Sequence, residues 1–162
     1  MSQEEKTGRR DAHYSVWHRV RSIKRFVGVE NAQRLAMIDV DASLYVEYDD
    51  ETKEPVALIE TARDVGQAFK TATVLRGLAR RADIPAFVVL YKVGESMNPA
   101  DPTCEDIESF RVQRLWPNRT RWHVLTPQRW SEALLRIRSN QAAKFDAEEA
   151  ETINPVAAAK IA

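Results

Sequence analysis

The fold is decided by one stretch, LAMIDVDASLYVEYDDETKEPVALIETARDVGQAFK, which runs from Leu35 to Lys70. Its pattern predicts two or three apolar strands around a charged turn, followed by an amphipathic helix. Three carboxylates, Asp39, Asp41 and Glu60, stand within its runs of Ile, Val, Leu and Met. Because a carboxylate in a half-buried strand is unfavourable unless it is paired or binds a metal, these are the first candidates for a functional site.

The segments on either side of this stretch extend the prediction to a complete domain. A helix is expected over 13–27, where apolar residues recur at helical spacing, and Gly28 is a candidate for its end. The further elements are strands over 35–40, 44–48 and 56–61, a helix over 64–82, a buried strand over 86–93, a loop over 95–106, strands over 110–116 and 122–125, and a helix that Thr126 and Pro127 begin. The predicted fold class is therefore α/β, a mixed central sheet flanked by helices.

The 162 residues are enough for one domain with a hydrophobic core. We predict a flexible lead over residues 1–12, a single domain over 13–138, and a mobile tail or loosely docked helix over 139–162, where large apolar residues become rare. No apolar run is long enough to span a membrane, the first residues lack a signal-peptide core, and Cys104 is the single cysteine. These features predict a cytoplasmic protein with no membrane partner.

Basic and acidic side chains balance at 24 each, which argues against a protein that coats nucleic acid by charge alone. Their distribution is uneven, with basic segments before residue 39 and over 111–138 and an acidic segment between them. Off the apolar positions of the first predicted helix lie Arg19, Arg21, Lys24 and Arg25. These four are candidate nucleic-acid contacts, and a solvated basic face is the alternative.

The carboxylates suit metal-dependent hydrolysis of a phosphodiester. A divalent metal polarises the phosphoryl oxygens and supplies hydroxide from bound water, and Mg²⁺ commonly takes one or two protein carboxylates. Asp39 and Asp41 are two residues apart, so they point to the same face of a strand, and Glu60 lies across the predicted hairpin. All three are candidate ligands for Mg²⁺ or Mn²⁺. The alternatives are a turn cap for the aspartates and an ion pair with an arginine for Glu60.

The order of these elements resembles the PD-(D/E)XK, or restriction-endonuclease-like, nuclease superfamily. The resemblance covers residues 13–93: the first helix, IDVD at 38–41, the hairpin through DDETKEP, LIETA at 58–62, the next helix and the strand AFVVLY. The chain is similar in particular to phage-encoded members in which an acidic strand precedes a strand of the type "gkPvaliE". The resemblance implies a restriction-endonuclease-like fold, cleavage of DNA with Mg²⁺ or Mn²⁺, and a phage or prophage origin.

The resemblance also assigns roles to individual residues. Asp41 or Asp39 matches the metal-binding aspartate of the family, and Glu60 matches the glutamate of its Glu-x-Lys motif. Ala62 stands where the motif has its catalytic lysine, which orients the attacking water. Some members supply this lysine from the following helix, and the candidate here is Lys70. Helical periodicity argues against it, because on a helix this side chain would lie nearly opposite the apolar stripe.

Three functions follow from these patterns and from the resemblance. The first is a metal-dependent endo- or exodeoxyribonuclease acting on DNA, with Asp41, Glu60 and Lys70 as catalytic residues. The second, favoured by Ala62 and by the zero net charge, is a nuclease-like fold without catalysis that serves as a structural virion component or binds a phage or host protein. The third is an unrelated α/β module whose acidic strand is only structural. Virion association and a homo-oligomeric state are left open by the sequence.

Overall fold

The computed structural model describes residues 24–35 and 40–153, and the chain divides into two compact units between Asp39 and Val40. In the first unit, helix α1 (Lys24–Arg34) contains Gly28 at φ 79°, where two helical segments meet at a kink. Glycine adopts this positive φ readily because it has no Cβ. The predicted helix end at Gly28 is therefore a kink, after which the helix resumes. Most of the helix expected over 13–27 and of the strand expected over 35–40 lies outside the described residues.

The second unit contains a five-stranded mixed sheet. Its elements are β1 (Ala42–Glu47), β2 (Lys53–Arg63), α2 (Thr73–Ala82), β3 (Ala86–Asn98), β4 (Asp101–Trp116), β5 (His123–Leu125) and α3 (Pro127–Ile153). The strands lie side by side in chain order, and all neighbours are antiparallel except β2 and β3, which are parallel. A parallel pair needs a crossover connection, and α2 lies in that connection. The predicted α/β class with a mixed sheet is confirmed.

The sheet carries an apolar core on each face. On the face that we call the α2 face, the core consists of Ala72, Leu75, Ala79, Ala86, Val88, Leu90 and Leu115. On the opposite face, the α3 face, it consists of Ala57, Ile59, Phe87, Val89, Val112 and Trp130. Because successive strand side chains point to opposite faces, the apolar run of β3 contributes to both cores. This central strand is buried on both sides, as its uniform apolar sequence predicts.

The helix predicted over 64–82 is wrong in its first half. Residues 64–72 form an irregular segment, which we call the 64–72 loop, and α2 begins only at Thr73. Gly66 has φ 81°, outside the helical range, and its N–H donates to the Asp64 carboxylate at 2.9 Å. Of the apolar positions that suggested a helical stripe here, Val65 and Ala68 are exposed and Ala72 is buried. The Asp64 carboxylate therefore stabilises a turn at the position where the helix was expected to begin.

The loop predicted over 95–106 is wrong as well, because it is the end of a long hairpin. Strand β3 continues to Asn98, and β4 begins at Asp101 after a two-residue turn. At the hairpin tip, polar side chains accept hydrogen bonds from the backbone. Asn98 accepts from the Ala100 N–H at 2.9 Å, and Asp101 accepts from the Thr103 N–H at 3.1 Å.

Helix α3 begins where the sequence predicts and extends further. The hydroxyl of Thr126 accepts the Arg129 N–H at 3.3 Å, which confirms the expected N-cap. The helix runs to Ile153, so residues 139–153, part of the predicted mobile tail, are helical. On this part, Lys144 forms an ion pair with Asp83 at the end of α2. None of the helices in the described ranges is long and apolar enough to cross a membrane.

Candidate active site

Asp41 and Glu60 are neighbours in the strand register where β1 begins beside β2. Ala42 pairs with Ile59, so Asp41, one residue earlier, comes opposite Glu60. Oδ2 of Asp41 accepts two hydrogen bonds from Thr61, one from the backbone N at 2.7 Å and one from Oγ1 at 3.0 Å. These bonds fix one oxygen of the aspartate beside the residue that follows the glutamate.

Lys70 reaches Glu60 from the 64–72 loop. Its Nζ lies 2.7 Å from Glu60 Oε1 and donates to the Thr61 carbonyl oxygen, also at 2.7 Å. The Glu60 side chain is 13% exposed and the Lys70 side chain 26%, so the pair is largely shielded from solvent. An ammonium has three N–H donors, and these contacts use two of them. The expectation that Lys70 points away is wrong, because the segment that carries it is not helical.

Glu60 lies on the α2 face of the sheet. On β2 it stands between Leu58 and Ala62, which both pack against the α2-face core. Alternation along a strand places these three side chains on one face. Position 62, where the family motif has its lysine, therefore lies on the same face as Glu60. In this chain that position holds a small packed side chain, and Lys70 places a cation beside Glu60 from the loop.

Arg111 on β4 anchors the 64–72 loop. Its Nε donates to Asp64 Oδ2 at 3.0 Å, and its Nη2 donates to Asp64 Oδ1 at 2.8 Å and to the Gln67 carbonyl at 2.7 Å. The guanidinium also lies 5.0 Å from the centre of the Trp122 ring. Trp122 Nε1 in turn donates to the Ala68 carbonyl at 3.0 Å. These contacts hold the loop at Gln67 and Ala68, just before Lys70.

The Arg111 guanidinium, hydrogen-bonded to Asp64, holds the pKa of that carboxyl below its usual range, and the Gly66 N–H acts in the same direction against the effect of burial. The carboxylate therefore stays ionised at neutral pH. Sequence reasoning missed this pair. Its partners are 47 residues apart, so no local pattern joins them.

The candidate metal ligands are only partly described. Asp39 lies outside the described residues, and within the described ranges no three His, Cys, Asp or Glu side chains form a metal-ligating group. Asp41 and Glu60 fit Mg²⁺, which commonly takes one or two protein carboxylates and completes its shell with water. The hydrogen bonds of Asp41 are made by Oδ2, and the ion pair of Glu60 is made by Oε1. Asp41 contacts Thr61, and Glu60 contacts Lys70, which in turn donates to the Thr61 carbonyl oxygen.

The candidate nucleic-acid contacts fall on the first unit. Arg19 and Arg21 lie outside the described residues, and Lys24 begins α1. Arg25 is exposed, with its guanidinium 5.3 Å from the centre of the Phe26 ring. An exposed arginine on this helix is compatible with both a nucleic-acid contact and a solvated basic face.

Comparisons with protein-family models, with curated proteins and with solved structures find no match to this chain. The order of described elements from β1 to β3 is strand, strand, helix and parallel strand. It agrees with the element order expected over 44–93, apart from the start of the helix.

Proposed function

We propose that this chain is a metal-dependent nuclease of the PD-(D/E)XK type, in which Lys70 replaces the lysine absent at position 62. The observation that carries the proposal is the 2.7 Å contact between Lys70 Nζ and Glu60 Oε1. It supports the proposal because an acid that holds a metal and a cation that offsets phosphate charge must stand side by side. The hairpin β1–β2, the crossover through α2 and the parallel strand β3 support a restriction-endonuclease-like core.

Each residue of the site has a role in this mechanism. Asp41 and Glu60 would hold Mg²⁺ or Mn²⁺, and the metal, when bound, polarises the phosphoryl oxygens and supplies hydroxide from water. Thr61 orients the Asp41 carboxylate through its N–H and its hydroxyl. Lys70 donates its third N–H to a phosphate oxygen and offsets the negative charge that develops there. Two carboxylates and one ammonium leave one net negative charge, which favours a divalent cation.

The test is cleavage of linear, nicked and single-stranded DNA with Mg²⁺ or Mn²⁺. We expect the wild-type protein to cleave at least one of these substrates and Glu60→Gln to abolish cleavage. The matched control is Glu108→Gln, which removes the carboxylate of another Glu–Lys pair in the same sheet, 3.0 Å from Lys92 Nζ. This control should keep the wild-type activity. Wild-type protein that leaves all three substrates intact with either metal would overturn the proposal.

A nuclease-like fold without catalysis is the second candidate, and the bonding of Asp41 favours it. Its Oδ2 already ties the start of β1 to Thr61 on β2, which is a structural role. In this interpretation the protein is a virion component or binds a protein partner. Calorimetric titration with Mn²⁺ separates the candidates. No binding to the wild type, with a stable Asp41→Asn variant, favours the non-catalytic fold, whereas binding that Asp41→Asn abolishes counts against it.

A further inference from the structure

A cleft of about 380 Å³ lies on the α3 face, between strands β4 and β5 and helix α3. We call it the α3 cleft. Its floor is apolar and includes Phe87, Val112, Leu125, Trp130 and Ile137. Its polar lining residues are Arg114, Thr120, His123, Arg136 and Asn140. Three separate elements therefore bring polar side chains to one apolar surface, which is the general composition of a small-ligand site.

The charged side chains of the α3 cleft are all cationic. Arg114 comes from β4 and Arg136 from α3, and no aspartate or glutamate is among the described lining residues. None of the ion pairs within the described ranges involves either arginine or His123. Two guanidinium groups that line one cavity without an acidic neighbour in its lining favour an anionic ligand.

Arg114 is held in place for such an anion. Its Nε donates to the Asn118 carbonyl at 3.0 Å, and its backbone N–H donates to Thr120 Oγ1 at 3.0 Å. The described contacts of this side chain use Nε, which leaves the terminal nitrogens for a ligand. Arg136 is exposed on α3 and lines the same cavity. A guanidinium matches a phosphate group with two parallel hydrogen bonds, so a phosphate suits this pair.

The floor of the cleft restricts the rest of the ligand. Phe87, Val112 and Trp130 are buried, and the Phe87 and Trp130 rings pack edge to face with centroids 6.0 Å apart. This packed apolar surface suits a flat ring laid against it. Thr120 and Asn140 add hydrogen-bonding groups beside the floor. The volume falls within the range of about 300 to 1,000 Å³ that is usual for small-molecule sites.

We infer that the α3 cleft binds a mononucleotide, with its phosphate at Arg114 and Arg136 and its base against the apolar floor. The cleft opens on the α3 face, whereas Glu60 lies among residues that pack on the α2 face. The two sites are therefore separated by the sheet. The inference goes beyond the proposed nuclease activity and does not depend on it.

The test is isothermal titration of the full chain with AMP, TMP and inorganic phosphate. We expect saturable binding of at least one nucleotide and weaker binding of inorganic phosphate, which makes no contact with the floor. Arg136→Gln should weaken nucleotide binding about tenfold or more, since it removes a charge-assisted contact to the phosphate. Arg138→Gln is the matched control, because it removes the same charge about 200° around the same helix. This control should bind as the wild type does.

Arg136 is exposed, so Arg136→Gln should fold, and thermal unfolding checks that it does. Arg136→Lys, which keeps the charge and loses the planar fork, should bind with intermediate affinity. Absence of saturable nucleotide binding overturns the inference. Equal losses in Arg136→Gln and Arg138→Gln also overturn it, because they indicate general charge attraction. If inorganic phosphate binds as tightly as the nucleotides, the placement of the base against the apolar floor is overturned. Glu60→Gln should leave nucleotide binding unchanged, which keeps this test separate from that of the nuclease.

Discussion

The guanidinium of Arg111 and the carboxylate of Asp64 form a two-bond pair that joins β4 to the 64–72 loop. Their side chains are 21% and 19% exposed, so both charges are largely shielded from water. The pair fixes the segment that brings Lys70 to Glu60. Its strength therefore bears on both the stability of the second unit and the geometry of the candidate site.

Breaking this pair should destabilise the second unit. Arg111→Gln leaves the Asp64 carboxylate shielded without its cation, and we expect a loss of about 2 kcal/mol in the free energy of unfolding, between the values for exposed and fully buried pairs. Urea denaturation measures it. The control is Lys92→Gln, which breaks the exposed pair with Glu108 and should cost under about 1 kcal/mol. Equal losses in the two variants would show that the Arg111 pair is no stronger than a surface ion pair.

The same pair makes stability depend on pH in the acid range. The pKa of Asp64 is lowered in the folded protein and returns to about 4 on unfolding. The stabilisation is therefore complete above about pH 4 and is lost as the pH falls towards the folded value. Asp64→Asn should flatten the dependence of the unfolding free energy on pH below about 4, measured by urea denaturation at several pH values. Asp49→Asn, in the exposed β1–β2 turn, is the charge-matched control, and a wild-type slope in Asp64→Asn would contradict the prediction.

Lys70 should be needed for cleavage and replaceable from position 62. Lys70→Ala should lower metal-dependent DNA cleavage about a hundredfold or more, since it removes the donor to the developing phosphate charge. Adding Ala62→Lys to this variant should restore part of the activity, because position 62 lies on the Glu60 face. Lys92→Ala is the control and should cleave normally. Undiminished cleavage by Lys70→Ala would exclude the role assigned to this lysine.

Two glycines should respond to alanine with opposite signs. Gly66 has φ 81°, and an added Cβ would meet nothing within 4 Å, so Gly66→Ala costs only backbone strain of about 1 to 2 kcal/mol. Gly77 lies inside α2, where an added Cβ would meet Arg81 Nη1 at an ordinary 3.6 Å. Because alanine favours a helix over glycine by about 1 kcal/mol, Gly77→Ala should stabilise the protein. Thermal unfolding of both variants measures the two effects, and a shift in the same direction for both would contradict this account.

The local patterns of the sequence predict the elements whose stability is itself local. The polar turn between β1 and β2 predicts their hairpin, and the apolar run from Ala86 predicts a strand buried on both faces. Thr126 marks the start of α3 because its hydroxyl bonds within the first turn. The acidic candidates also emerge from a local signal, since charged residues interrupt apolar strands.

The errors arise where distant contacts decide the structure. Val65, Ala68 and Ala72 have helical spacing, but the 64–72 loop that contains them is held by Arg111 and Trp122, which lie far along the chain. The same error hid the approach of Lys70 to the candidate site. In the β3–β4 hairpin, turn-forming residues extend over the strand ends as well as the tip, so composition alone predicts too long a loop.

The parallel pairing of β2 with β3 has a consequence for the order of folding. The β3–β4 hairpin closes over a two-residue turn, whereas β2 joins β3 across the longer connection that contains α2, and closing that connection costs more conformational entropy. The link from Asp64 to Arg111 closes later still in this scheme, because it needs both strands in place. The amide hydrogens of the 64–72 loop should therefore exchange with solvent before those of the hairpin. We therefore expect the 64–72 loop, and Lys70 with it, to open locally while β3 and β4 stay folded.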